Sequence, residues 1–64
     1  MKTITIALDL TEEDAWHLAL FLKRTDWSTF ERHSDPTNKE EPQRFADAVS
    51  ATERCLRAAG YAPR

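Results

Sequence analysis

The sequence has one cysteine, one glycine, three prolines and no long apolar run in its 64 residues. One cysteine excludes an internal disulfide. His17, His33 and Cys55 have neither the two-to-four nor the i, i+4 spacing of zinc ligands, so a structural metal is not expected either. No stretch approaches the roughly 18 apolar residues of a membrane span, and no charged, apolar and small-residue succession suggests an export signal. These absences make a cytoplasmic protein the expectation, with no membrane partner, metal or cofactor. A formal net charge of −2 removes general polyanion binding, which draws its affinity from lysines and arginines set against phosphate.

What is present points to one small globular domain over residues 1–64, 41% hydrophobic and 31% charged. Nine of its 26 apolar residues are alanine, which leaves a thin core. A chain this short buries only about 60% of the surface it exposes when unfolded. Without disulfide or metal, self-association is the remaining way to gain buried area.

From Lys2 to Leu10 the residues alternate, Ile4, Ile6, Leu8 and Leu10 on one side and Thr3, Thr5, Ala7 and Asp9 on the other. This period of two, rich in β-branched residues, predicts a half-buried strand over 2–10. Thr11 can then cap a helix over 12–24, with Glu12, Glu13 and Asp14 in its first turn and Lys23 and Arg24 in its last, both favourable to the macrodipole. Trp16 to Leu22 contains a single polar residue, His17, so this helix is apolar on most of its circumference and calls for cover on most of it. Asp26 or Ser28 can cap a further helical stretch to His33, as a continuation of the first helix or a restart. Residues 34–41 are polar and form a loop. Pro42 opens a last helix over 42–59, in which Phe45, Ala48, Val49, Thr52, Leu56 and Ala59 make one stripe. Gly60, Tyr61 and Pro63 have the order of a Schellman ending.

The expected fold class is therefore α+β and mostly helical: one N-terminal strand followed by two or three helices, βαα. A single strand has no mate within its own chain, so it pairs between chains. That pairing makes a homodimer with Ile4, Ile6, Leu8, Trp16, Leu20 and Phe21 at its interface, or extends the sheet of another protein.

The course Lys2-Thr3-Ile4-Thr5-Ile6, Leu8-Asp9, a helix to Lys23-Arg24, then Thr25-Asp26-Trp27-Ser28 to Glu31 resembles the start of ribbon-helix-helix repressors. By that resemblance Thr3, Thr5 and Ala7 read DNA bases and the amides near Ser28 meet phosphate. Ala7 and Asp9 stand where such repressors carry polar or basic readers, and Asp26 where a glycine is common. Residues 1–33 hold six acids against Lys2, Lys23, Arg24 and Arg32. DNA is thus the alternative partner. Most of the chain, from Lys2-Thr3-Ile4-Thr5 through Trp16, Phe21 and Trp27-Ser28 to Ala58-Ala59-Gly60-Tyr61-Ala62-Pro63-Arg64, is similar to short uncharacterised proteins of bacterial phages, plasmids and gene cassettes. That resemblance implies an accessory or counter-defence protein, anti-CRISPR-like, which occupies the surface of a host protein.

No recognised catalytic set is present, and the expectation is a non-enzyme. Cys55 lies at the margin of the Phe45-Val49-Leu56 stripe and reads as a small buried thiol rather than an activated one. The acids Asp9 to Asp14 read as helix N-terminal charges rather than a phosphate mimic. Trp27 and Phe30 are the candidate anchors for an unidentified host protein, because exposed aromatics supply much of the energy of protein interfaces.

Overall fold

The computed structural model describes residues 2–64. It contains three helices, α1 (Glu12–Arg24), α2 (Trp27–His33) and α3 (Glu41–Ala58), and both α1 and α2 pack against α3. The expectation of a strand is overturned: among the described residues there is none, and residues 2–10 carry no regular secondary structure. The fold is all-helical rather than βαα, and the inter-chain ribbon goes with the strand. Alternation makes one side of a segment apolar but supplies no hydrogen-bonding edge. Here residues 2–10 form an arm whose Ile6, Leu8 and Leu10 border a groove with α1 and α3.

Each helix end has a local cause. The Thr11 side chain accepts the Asp14 N–H at 3.0 Å, and the Thr11 carbonyl accepts the Ala15 N–H at 2.9 Å. The three acids of the first turn and the two bases of the last sit at the favourable ends of the dipole. Thr25 and Asp26 are extended, so the chain breaks and α2 restarts. The box that opens α2 joins Asp26 to Thr29: the Asp26 carboxylate accepts the Thr29 N–H at 2.9 Å, and the Thr29 hydroxyl oxygen lies 3.4 Å from the Asp26 N–H. The polar loop before α3 is tied by short-range bonds, with Asp35 accepting from the N–H and hydroxyl of Thr37 and Glu41 accepting from the Asp35 N–H at 3.1 Å. Pro42, in the first turn of α3, is buried. At the other end Gly60 adopts φ +99°, Gly60 N–H donates to the Arg57 carbonyl at 3.0 Å, and Tyr61 N–H donates to the Leu56 carbonyl at 2.9 Å. This pair of bonds is a Schellman motif, and it turns Tyr61 back onto the core.

The core is small. Ala15, Ala19 and Leu22 of α1 and Leu56 of α3 are buried, with Leu18, Val49 and Tyr61 packed around them, and among the described residues no side chain is fully shielded from solvent. Leu56 is the one member that α3 contributes to the buried cluster. Leu56→Ala is expected to cost about 2–5 kcal/mol. A domain of this size has roughly 3–10 kcal/mol in all. Thermal unfolding followed by circular dichroism should therefore lose its cooperative transition or shift down by more than about 10 °C. A midpoint within a few degrees of the parent would show that the α1–α3 seam does not hold the fold.

Candidate interaction surface

The α1–α3 pair presents two different sides. On one, two grooves follow one another along the same helices. The first, about 250 Å³, is walled by Ile6, Leu8 and Leu10 of the arm, Ala15 and Leu18 of α1, Thr52, Cys55, Leu56 and Ala59 of α3, and Tyr61. The second, about 340 Å³, lies between Phe21, Leu22 and Thr25 at the end of α1, Thr29, Phe30 and His33 of α2, and Phe45, Ala48 and Val49 of α3. As α1 proceeds from Ala15 to Thr25, α3 recedes from Ala59 to Phe45. The two helices are thus antiparallel along this side and the grooves lie end to end. Neither groove has an aspartate, glutamate, lysine or arginine in its walls. On the other side, Lys23 of α1 and Glu53 and Arg57 of α3, with Tyr61 and Pro63, border a small hollow of about 90 Å³. The helical pattern of the sequence thus keeps Lys23, Glu53 and Arg57 off the side that holds the two grooves.

The residues expected at an interface are placed unequally. Ile4 (81% exposed), Ile6 and Leu8 are on the arm, and Phe21 (65% exposed) stands in the wall of the second groove. Trp16 and Leu20 lie about 160° and 100° around α1 from Leu18 and Phe21, away from both grooves; Trp16 is 43% exposed and Leu20 half-buried. Phe30 is half-buried in the second groove. Trp27, 48% exposed, instead borders a separate hollow with Glu31, Asp35, Pro36, Lys39 and Pro42. Thr3 and Thr5 are exposed on the arm and Ser28 is exposed in the first turn of α2, and none of the three lines either groove. The ribbon that would have presented Thr3 and Thr5 to bases is not formed.

Cys55 is exposed, not buried as its place beside the stripe suggests, because α1 packs on the Leu56 side and leaves the Cys55 side open to the groove. Among the described residues no three His, Cys, Asp or Glu side chains come together as metal ligands. Among those residues no helix is long and apolar enough to cross a membrane. Phe45, Ala48, Val49 and Tyr61 belong to the grooves, although sequence periodicity assigns them only to a core stripe or a helix ending. Their part in a groove depends on where α2 and the arm lie, which no local pattern carries.

The restart of α2 positions Phe30 and is the acid-sensitive part of this surface. The Thr29 N–H, then the Thr29 hydroxyl and more distantly Arg32, hold the Asp26 carboxyl below its ordinary value of 3.8. The Thr37 N–H and hydroxyl do the same to Asp35. A carboxyl that titrates lower in the folded chain stabilises it above the unfolded value, and that contribution is lost as pH falls through the folded one. Acidification below 3.8 should therefore loosen the start of α2, readable in the fluorescence of nearby Trp27. Asp26→Asn keeps an acceptor for the Thr29 N–H but has nothing to titrate. It should flatten that acid limb, and an unchanged limb would assign the transition elsewhere.

No curated protein and no solved structure matches the chain. A family described as "Family of unknown function (DUF7706)" matches residues 1–64, the whole of the sequence, and the chain belongs to that family.

Proposed function

We propose that this chain is a small non-enzymatic protein–protein interaction protein that works by laying its uncharged apolar side on another protein. The observation that supports the reading is the pair of grooves set end to end with no charged residue in their walls, bordered by the exposed side chains of Ile6, Leu8 and Phe21. Soluble chains rarely leave contiguous apolar patches larger than a few hundred Å² uncovered, and those that do use them for binding. Trp27, in its own hollow beside Pro36 and Pro42, offers a second, separate anchor with polar neighbours, the composition of an interface rim. A mobile-element accessory protein, or an anti-CRISPR-like inhibitor that occupies a host protein's surface, needs no more chemistry than this.

The reading is tested by affinity capture from cell extract with four baits: the parent chain, the double variant Ile6→Asp/Leu8→Asp, Trp27→Ser, and Lys23→Glu on the charged side. A host protein retained by the parent and by Lys23→Glu, and reduced at least tenfold by the arm variant or by Trp27→Ser, is the expected result. Retention that depends only on Lys23, or that ignores all three substitutions, would remove the apolar side from the function.

A further inference from the structure

The apolar side leaves Ile6 69%, Leu8 65% and Phe21 65% exposed, and its shape indicates what covers it. We infer that its occupant is a second copy of this chain. The copies are related by a twofold axis lying in the interface and crossing α1 and α3 between the two grooves, so that Phe21 of each copy seats in the arm groove of the other. The inference rests on the reading of this side as a protein-binding surface and names the partner there, which leaves the separate Trp27 hollow to meet a host protein.

The first argument is area. The chain exposes 5655 Å². A compact monomer of 7.4 kDa exposes about 4,200 Å². The excess, about 1,450 Å² over the whole chain with the exposed arm included, is of the size that each member of an obligate homodimer buries, roughly 1,000–2,500 Å². It is also well above the ~800 Å² per partner of an ordinary transient complex.

The second argument is self-complementarity. Rotation about an axis between the grooves sets the first groove of one copy over the second groove of the other, twice over. The knob and the hollow then alternate correctly. Phe21, 65% exposed, projects from the second groove and faces a hollow of about 250 Å³ in the partner. An apolar cavity of roughly 150 Å³ already accepts a benzene ring. In return Ile6 and Leu8 project from the rim of the first groove towards the partner's Phe30 and Phe45, across a hollow of about 340 Å³. A chain of net charge −2 repels its own copy, but no aspartate, glutamate, lysine or arginine lines either groove, so the walls themselves set no carboxylate against another.

The third argument is that the monomer lacks other support. Its buried cluster is four residues, two of them alanine, with one free cysteine. Small domains of this kind gain the missing burial by association.

The experiment uses the full-length chain alone, in sedimentation equilibrium from about 1 to 100 μM with thiol-modification kinetics alongside. The parent is expected to sediment at twice its 7.4 kDa mass. Phe21→Glu, at a position that contributes little to the single chain's own core, is expected to keep its helical signal and weaken association at least 30-fold. Lys23→Glu, on the charged side, is expected to leave association unchanged. Cys55, the only thiol, lies in the arm groove. Its reaction with a thiol reagent should slow as concentration rises in the parent and not in Phe21→Glu. If Phe21→Glu loses its helical signal, concentration-dependent protection of Cys55 in the parent decides the matter. A monomer throughout the range overturns the second copy as occupant, while host-protein capture by the arm still decides the broader reading. A dimer indifferent to Phe21→Glu, with Cys55 equally reactive at all concentrations, overturns both the place and the geometry of the contact.

Discussion

The seating of α1 on α3 through Ala15, Ala19, Leu22 and Leu56 is the contact on which the rest of the molecule depends. Two alanines one turn apart let the helices approach closely, and the leucines fill the space on either side of them. α2 has no buried residue of its own and is held by α3 and by the Asp26–Thr29 box. The arm has only the edge of the α1–α3 seam to lie against. Tyr61 closes the far end because the left-handed Gly60 sends the chain back over Leu56. If the seam were removed, each of these pieces would be a short peptide with too little to bury.

The same contact creates the uncovered surface. α1 is apolar over more of its circumference than one helix can cover, and α3 takes only the strip through Ala15, Ala19 and Leu22. Phe21 and Leu18 remain beside that strip, facing the grooves, while Trp16 and Leu20 lie on the far side of the helix. α3 is amphipathic in the ordinary way but turns part of its stripe, Ala48, Thr52 and Ala59, towards the grooves rather than towards α1. One side of the helix pair therefore holds both grooves, and the other carries Lys23, Glu53 and Arg57 together with Trp16 and Leu20 of α1.

The helices were legible in the sequence because their causes are local. The Thr11 hydroxyl, the sorted charges of α1 and the Gly60-Tyr61 ending each act within a turn or two of chain. The capping box of α2 was half legible: Asp26 is a suitable cap, but the hydroxyl of Thr29, rather than the Ser28 and Glu31 pair, completes it. The strand was misread because alternation in Ile4, Ile6, Leu8 and Leu10 reports which side is apolar and not whether a ladder partner exists. Cys55 was misread for a related reason, since a helical angle gives direction and not what lies there. The second groove was not legible at all. It needs Phe30 from α2 and Phe45 from α3 on opposite walls, and only the path of the chain through Thr25 and Ser34 brings them there.

The distribution of size between inside and outside carries the strongest implication. The buried cluster is half alanine, whereas Ile4, Ile6, Leu8, Phe21 and Trp27 are among the most exposed large apolar residues. Burying one such side chain is worth about 1.5–3 kcal/mol. A chain whose whole stability is roughly 3–10 kcal/mol therefore leaves a comparable amount unused on its surface. Single exposed leucines are ordinary, but Ile6, Leu8 and Phe21 stand along two grooves with no aspartate, glutamate, lysine or arginine in their walls, which is not. Small residues in the seam fix how the helices lie, and the large ones outside are free to be buried against something else. The fold by itself is thus a frame that leaves apolar side chains worth about as much as its net stability still available for association.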